Sequence, residues 1–348
     1  MAPDVGAVTA IVVTWDSARD IERCLASLDA VEHDTFDVVV LDNASSDDTV
    51  VQVEAFLARA TKHRIELRRL PHNHGFCGAV NLGIRSSAAD AILLVNPDAT
   101  VEPDTVTRLV RVLDEHPACG TVQPKLLRLH AGAHEQPPTI DTTGHVLTRP
   151  RLLLNRGAGL PDDDRFDEPG EIFGASGALV LHRRAMLDDI ARDGGAQLEY
   201  LTEDLVAYFD DVDLDLRARL RGWTARYEPT AVGHHARAGA SKRRRRRVRV
   251  LNLSNHPLVI IGNEGLRSLA RDAHVIVPLW TLRILAATVR SPVAMLLAIG
   301  RLRLLRAALR RGRVDRERAT VPLPEVLNRW CEPLPHGWLR AAARRGLR

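Results

Sequence analysis

Short strand-like runs that alternate with polar clusters and helical periodicity over the first hundred residues constrain the fold of this chain more than any other feature. Val8 to Thr14 (VTAIVVT) is β-branched and almost wholly apolar, the composition of a strand buried on both faces of a parallel sheet. Ser17 to Leu28 then has helical spacing, with Ile21, Leu25 and Leu28 on one face and Asp16 or Ser17 placed to cap it. Phe36 to Leu41 is a second strand. It runs into Asp42-Asn43-Ala44-Ser45-Ser46-Asp47-Asp48, and a helix through Val50, Val53 and Leu57 follows. Ile65 to Leu70 reads as a strand, Pro71 to Cys77 as a loop, Gly78 to Ser86 as a helix, and Ala91 to Val95 as a fourth strand stopped by Asn96-Pro97-Asp98. This alternation predicts an α/β fold, a Rossmann-like and mostly parallel sheet flanked by helices, whose ligands bind beyond the carboxyl ends of the strands.

Downstream the pattern weakens. Thr121 to Gly170 is rich in Pro, Gly and Asp and reads as a hairpin and a loop. Gly174 to His182 runs from small residues into a strand, and Asp204 to Arg221 is helical with a polar start. After Ser241 the character changes: Lys242 to Arg247 is continuously basic, and Leu/Arg-rich helical stretches continue to about Arg313. Charge divides the chain in the same place, with 23 Lys/Arg against 38 Asp/Glu in residues 1–235 and 25 against six in residues 236–348, net −15 and +19. The two parts therefore meet different partners. The four Cys are far apart with no C-x-x-C pair, which excludes a zinc ribbon, a redox pair and a disulfide framework and fits a reducing cytoplasm. The N-terminus, Met-Ala-Pro-Asp before an apolar run, lacks the basic region and cleavage site of a signal peptide. Residues 274–300 come nearest to a membrane segment, but Pro278, Arg283, Arg290 and Pro292 interrupt them, so an interfacial helix is expected rather than a spanning one. Leu302 to Leu309, flanked by Arg301, Arg303, Arg306, Arg310 and Arg311, has the amphipathic pattern of a helix lying on anionic lipid.

Three acidic clusters fall after strands or at a helix start: residues 42–48, Asn96-Pro97-Asp98, and Asp210-Asp211-Val212-Asp213. Gathered carboxylates hold hard cations through oxygen, and Mg²⁺ or Mn²⁺ bound in this way usually bridges to phosphate. A nucleoside-diphosphate substrate follows. Neither a Walker G-x-x-x-x-G-K-[ST] nor a strand-linked G-x-G-x-x-G is present, so P-loop phosphoryl transfer and dinucleotide binding are excluded.

In order and spacing, VVTWDSARDIERCLASL, VVVLDNASSDDT, NHGFCGAVNLGI, LLVNPDA, YFDDVDLDLRARLRGW and GHHARAGAS resemble the successive motifs of inverting GT-A fold glycosyltransferases, in the large family that contains bacterial rhamnosyl- and galactofuranosyltransferases. The resemblance spans roughly residues 8–245. It implies a catalytic domain over residues 1–245, with a nucleotide-sugar half to about residue 120 and an acceptor half beyond it, followed by a basic helical region over residues 246–348. On the donor side it implies Thr14, Asp42, Asn43, Asp47, Gly75, Gly78, Asn81 and Asn96, with Asp42 accepting from the uracil or thymine ring. Asp98 matches the last carboxylate of the D-x-D element that binds the divalent ion, here in an N-x-D form, and His234 or His235 completes that metal site. Asp211 matches the general base, with Asp210 and Asp213 beside it, and Gly174 and Ser176 line the acceptor side. Trp15-Asp16 departs from the commoner Tyr/Phe-Asn pair. The resemblance further implies transfer of rhamnose from dTDP-rhamnose, or of galactofuranose or another hexose from a UDP-sugar, to a cell-envelope glycan or polyprenyl-diphosphate-linked acceptor. A cytoplasmic enzyme, peripheral on the inner face of the membrane, would meet such an acceptor, and a homo-oligomer is among its expected forms.

Two other classes compete. A non-catalytic polyanion-binding protein would use Lys242 to Arg247, but no aromatic interleaving, helix-turn-helix or zinc motif accompanies that run, so no nucleic-acid partner is expected. A processive polysaccharide synthase would resemble families carrying several transmembrane helices and a Q-x-x-R-W element, and this chain has neither.

Overall fold

The computed structural model of the protein describes residues 5–59, 61–129, 138–195, 197–236 and 242–335. Residues 130–137 of the expected loop, residues 237–241 of the GHHARAGAS segment and the side chains of Lys242, Arg243 and Arg244 lie outside the described residues. The chain forms two compact units: residues 1–145, 155–218 and 222–239 make the first, and residues 146–154, 219–221 and 240–348 make the second. Two short segments from within the first stretch of sequence thus join the C-terminal helices.

In the first unit β1 (Val8–Thr14), β2 (Phe36–Asp42), β3 (Arg64–Arg69) and β4 (Ala91–Val95) run parallel. All residues of β1 and β4 are buried, which is why their sequences are continuous apolar runs without alternation. The connecting helices are α1 (Ile21–Asp29), α2 (Thr49–Leu57) and α3 (Gly75–Arg85), and α1 buries Ile21, Cys24, Leu25 and Leu28 at helical spacing. Helix α1 begins later than the expected Ser17, because Asp16 has φ 50° and Ser17 to Asp20 form a turn. After β4 come β5 (Ala99–Val101), α4 (Thr105–Glu115), β6 (Cys119–Arg128) and β7 (Ile140–Thr142). They are followed by β8 (His145–Thr148), β9 (Leu153–Asn155), β10 (Gly170–Ile172) and β11 (Leu179–Arg183). The remaining elements are α5 (Arg184–Ile190), the two-stranded β12 (Arg192–Asp193) and β13 (Leu198–Glu199), α6 (Asp210–Leu220) and β14 (Thr224–His235). The large sheet has the order β10-β14-β6-β11-β4-β1-β2-β3, with β5 beside β14 and β7 beside β6. Strand β11 is antiparallel to both neighbours, and β14 returns parallel to β6.

The helix expected over Asp204–Arg221 is broken. Residues Glu203–Leu205 form a single 3-10 turn, Val206, Tyr208 and Phe209 have φ of 68°, 69° and 65°, and α6 starts at Asp210. Non-glycine residues in this region cost about 1–3 kcal/mol each and persist only where their surroundings hold them. The consequence is positional, since it is this turn that sets the direction in which the acidic start of α6 enters the site.

The second unit consists of α7 (Lys242–Arg271), kinked at Gly265 where φ is 75°, α8 (Ala273–Arg290), α9 (Pro292–Arg301), α10 (Leu305–Glu317), α11 (Leu323–Trp330) and β15 (Cys331–Glu332), which pairs with β8 in a small sheet of order β15-β8-β9. Its centre is polar. Arg151, 1% exposed, donates to Glu264 at 2.8 Å and Asp272 at 2.7 Å. His256 donates from Nε2 to the Arg151 carbonyl at 2.7 Å, which leaves Nδ1 to accept from Arg283 at 3.1 Å. Helix α10 crosses α7 at small residues: a Cβ built on Gly312 would lie 1.9 Å from the Gly262 carbonyl oxygen, and one on Gly262 would lie 3.1 Å from the Ala308 methyl. The stripe within Leu302–Leu309 expected to face lipid is therefore partly spent on packing against α7.

Candidate functional site

Parallel register brings the polar clusters to one edge of the sheet. Thr14 pairs with Asp42, and Val12 with Val95, so Thr14, Asp42 and Asn96 all stand at or just beyond the carboxyl ends of their strands. The Thr14 hydroxyl donates to Asp42 Oδ1 at 3.0 Å and the Ser45 amide to Asp42 Oδ2 at 3.1 Å, which holds the carboxylate in place although it is nearly buried. Asn43 turns away from this edge. It donates to the Gly75 carbonyl at 3.0 Å and accepts from the His74 amide at 2.8 Å, and so clamps the loop before α3. Asp47 accepts from the Ala18 amide and from the amide and hydroxyl of Thr49. Burial opposes its charge, but the hydrogen bonds from Thr49 and Ala18 outweigh it and hold the carboxyl below its ordinary range.

The three residues placed on the α3 side prove to be load-carrying elements of the fold. Gly75 has φ 76°, and a Cβ there would lie 2.9 Å from Val206 Cγ1 and 3.0 Å from the Val206 carbonyl oxygen, so only glycine suits the approach. A Cβ on Gly78 would lie 3.1 Å from His74 Cβ. Asn81, fully buried, donates to the Leu201 carbonyl and Glu203 and accepts from the Tyr200 and Leu201 amides. All its donors and acceptors are engaged within the protein, so it positions residues 200–203 and is not free to contact a donor sugar.

At the end of β4, Asp98 meets a histidine. Strand alternation sends the two candidates apart: His234 Nε2 lies 3.0 Å from Glu102, whereas His235 Nε2 lies 3.2 Å from Asp98 Oδ1. The other nitrogen of His235 lies 2.9 Å from Asp141, a nearly buried residue of β7. Burial works against the imidazolium, yet Asp141 and Asp98 outweigh it and push His235 up to about 9. A histidine held by a carboxylate through one nitrogen, with its other nitrogen beside a second carboxylate, has the arrangement of a metal ligand with its orienting partner. Among the described residues no group of three or more His, Cys, Asp or Glu side chains is gathered to hold an ion. Asp98 and His235 are of the residue types that would hold a hard cation such as Mg²⁺ or Mn²⁺, the rest of whose shell would come from phosphate oxygens and water.

The third cluster is built on α6. Asp211, a quarter exposed, accepts from the Gly177 amide at 3.3 Å, and its Oδ2 lies 3.6 Å from His145 Nε2. His145 Nδ1 lies 3.0 Å from Asp215 Oδ2, and Asp215 Oδ1 accepts from the Ala175 amide at 3.3 Å. Burial lowers His145, but Asp211 and Asp215 outweigh it and raise the imidazole above its ordinary value. Burial raises Asp215 to about 6. Asp210, beside Asp211 but buried, is pushed up to about 8 by burial and then by the Asp211 charge. Burial thus favours the protonated form of Asp210 and leaves Asp211 as the partly exposed member of the pair. Asp213 is committed elsewhere: it accepts from Thr202 at 2.8 Å and pairs with Arg217 at 3.1 Å and Arg192 at 3.4 Å. The segment 174–178 joins the edges, since Ala178 accepts from the Asn96 amide, Ser176 donates from its amide to Gln123, and Gly177 and Ala175 serve the two aspartates. Gly174, expected to leave room for a sugar, instead makes room for Asp215: a Cβ there would lie 1.8 Å from Asp215 Oδ2.

Three members of these clusters, Asp141, His145 and Asp215, have no place in the sequence reading. Asp215 carried a signal, since Asp211 and Asp215 are four apart and share a helix face. His145 and Asp141 lie in the hairpin region and reach the site only through sheet pairing.

A mostly parallel sheet with a nucleotide-side edge, a carboxylate–histidine pair after β4 and an acidic helix start is the α/β architecture of a GT-A glycosyltransferase. Residues 9–189 match Glycosyl transferase family 2, and the chain belongs to that family of nucleotide-sugar glycosyltransferases. The chain is 27% identical over 253 residues to an N-acetylglucosaminyl-diphospho-decaprenol L-rhamnosyltransferase of Mycobacterium tuberculosis, covering 67% of this chain and 77% of the relative. Its fold is similar to that of a mannosyltransferase from Pyrobaculum calidifontis in complex with GDP-Man and Mn²⁺, with TM-score 0.52, 19% identity, and coverage of 91% of this chain and 88% of the other. It is likewise similar to S. aureus TarS 1–349 in complex with UDP-GlcNAc, with TM-score 0.52, 17% identity, and coverage of 89% and 90%.

Proposed function

We propose that this glycosyltransferase transfers L-rhamnose from dTDP-rhamnose to a hydroxyl of a sugar carried on a polyprenyl diphosphate, with Asp211 as general base. The donor and acceptor rest on the mycobacterial relative, whose name specifies both a rhamnosyl group and a diphospho-decaprenol acceptor. The base rests on one observation: of the adjacent carboxylates, Asp210 is buried, whereas Asp211 is a quarter exposed and its Oδ2 lies 3.6 Å from His145 Nε2.

The steps balance as a single displacement. Asp211 takes the proton of the acceptor hydroxyl as that oxygen forms a bond to the anomeric carbon. The bond from that carbon to the diphosphate breaks on the opposite face, and configuration inverts. His145, oriented through Nδ1 by Asp215, steadies the Asp211 carboxylate from one side while the Gly177 amide holds it from another. Asp42, fixed by Thr14 and Ser45, receives the base of the nucleotide. Asp98 and His235 would hold a divalent ion, which supplies charge neutralisation to the departing diphosphate.

The test is transfer from dTDP-rhamnose and UDP-galactofuranose to a GlcNAc-diphospholipid, by wild type and D211N. Rhamnosyl transfer that falls about 10²–10⁴-fold in D211N is expected. Use of UDP-galactofuranose alone would overturn the donor, and an active D211N would overturn the base.

A further inference from the structure

The glycosyl-transfer chemistry uses nothing from the apolar surface of the second unit. On α8, Val277, Ile284, Leu285 and Val289 recur at helical spacing with exposures of 58%, 50%, 59% and 84%, and on α9 Val293, Leu296, Leu297 and Ile299 are each at least half exposed. The opposite side of α8 is held by its own unit, where the Trp280 indole donates to the Pro150 carbonyl and Arg283 reaches His256. Between the start of α7 and the α8–α9 turn lies a cleft of about 390 Å³ lined by Arg245, Arg246, Arg249, Ser291, Val293 and Ala294. Arg249 donates to the Ser291 hydroxyl at 2.7 Å, and among the described residues none of these three arginines has a carboxylate partner.

We propose that the α8–α9 face lies on an anionic phospholipid surface, with a lipid headgroup phosphate seated among Arg245, Arg246 and Arg249. Three features favour this occupant. The sequence from Ala273 to Val314 contains eight arginines, of which Arg283 turns inward to His256, and no acidic residue, so the charge of this stretch has one sign. A guanidinium fork matches phosphate oxygens, and an apolar face rimmed by arginine matches the boundary between headgroups and acyl chains. A second copy of the chain would place like charges against like, because a two-fold interface presents the same patch from both sides.

Helix α8 is also long and apolar enough to cross a membrane by length and composition. Arg283 and Trp280 near its middle are engaged by protein on one side, and its 18 residues rise only about 27 Å. That one-sided engagement makes it a helix in the plane of the surface. The proposal goes beyond the transfer reaction and does not depend on the donor.

Vesicle flotation of the full chain tests it, with phosphatidylcholine alone and with phosphatidylglycerol added. Binding is expected only to the anionic vesicles, and 0.5 M NaCl should release the protein. Each arginine removed should weaken partition about fivefold, so R245Q/R246Q/R249Q should lose roughly a hundredfold. L285S/V289S/L296S should lose binding as well, with circular dichroism and melting temperature showing both variants folded. Equal binding to neutral vesicles, full binding by the folded arginine variant, or a dimer in sedimentation that buries the apolar face would each overturn it. So would cleft occupancy by millimolar inorganic phosphate without vesicle binding, which would make the cleft a site for a free anion.

Discussion

Replacing Gly174 by alanine tests whether the carboxylate of Asp215 is held where the transfer site needs it. The backbone at Gly174 is ordinary, so the cost lies in space: the new methyl would stand 1.8 Å from Asp215 Oδ2 and 2.0 Å from its Cγ, distances at which the carboxylate must move. Moving it breaks the 3.0 Å contact with His145 Nδ1 and the 3.3 Å hydrogen bond from the Ala175 amide. A buried hydrogen bond to a charged group is worth about 1.5–3 kcal/mol, and the longer one takes the low end, so the loss is about 3 kcal/mol. His145 then loses the partner that aims it at Asp211, and a displacement on the order of 1 Å costs roughly 10²-fold in kcat. The assay is urea unfolding, with kcat, of wild type, G174A, D215A and G174A/D215A. In the D215A background the methyl enters vacated space and should cost under about 1 kcal/mol, giving a coupling of about 2–3 kcal/mol. Additive costs, or a G174A enzyme as stable and active as wild type, would refute the reasoning.

On the proposed ion site Asp141 would act through His235, so D141N should weaken Mn²⁺ binding about 10–100-fold in a direct titration of free Mn²⁺ while kcat at saturating metal largely recovers. Asp213 serves Arg192 and Arg217, and D213A should lower unfolding free energy by about 3–5 kcal/mol; a catalytic defect at unchanged stability would return it to the acceptor side. Asp210 is pushed up to about 8, while an unfolded aspartate titrates near 4. Between those values the unfolded chain has released a proton that the folded protein retains, so stability falls as pH rises through the window. D210N should flatten that fall in denaturation curves taken from pH 4 to 8, and an unchanged slope would place the proton elsewhere.

How much of the site was legible follows from how local each signal is. Strands β1 and β4 were readable because both their faces are buried, and each run therefore shows its apolar character continuously. Asp42, Asp98 and Asp211 were readable because strand ends and helix starts are marked by short polar clusters. Gly75 was expected beside the donor, and the structure gives it a role in the fold, the approach of Val206, which is a contact between residues distant in sequence. Asn81 and Asp213 were assigned to the donor and acceptor sides by the motif resemblance, and packing commits them to residues 200–203 and to two arginines.

Sequence by itself thus determined the α/β class, the strand ends at which the polar clusters gather and the charge division between the two parts, because periodicity, turn residues and net charge act over a few neighbours or over composition. Tertiary structure alone decided which histidine meets Asp98, which carboxylate of the adjacent pair stays open, that Asp141, His145 and Asp215 stand behind the reacting groups, and that the exposed apolar surface lies on α8 and α9. Those outcomes depend on register, burial and long-range contact, which arise only when segments a hundred residues apart are brought within hydrogen-bond distance and out of water.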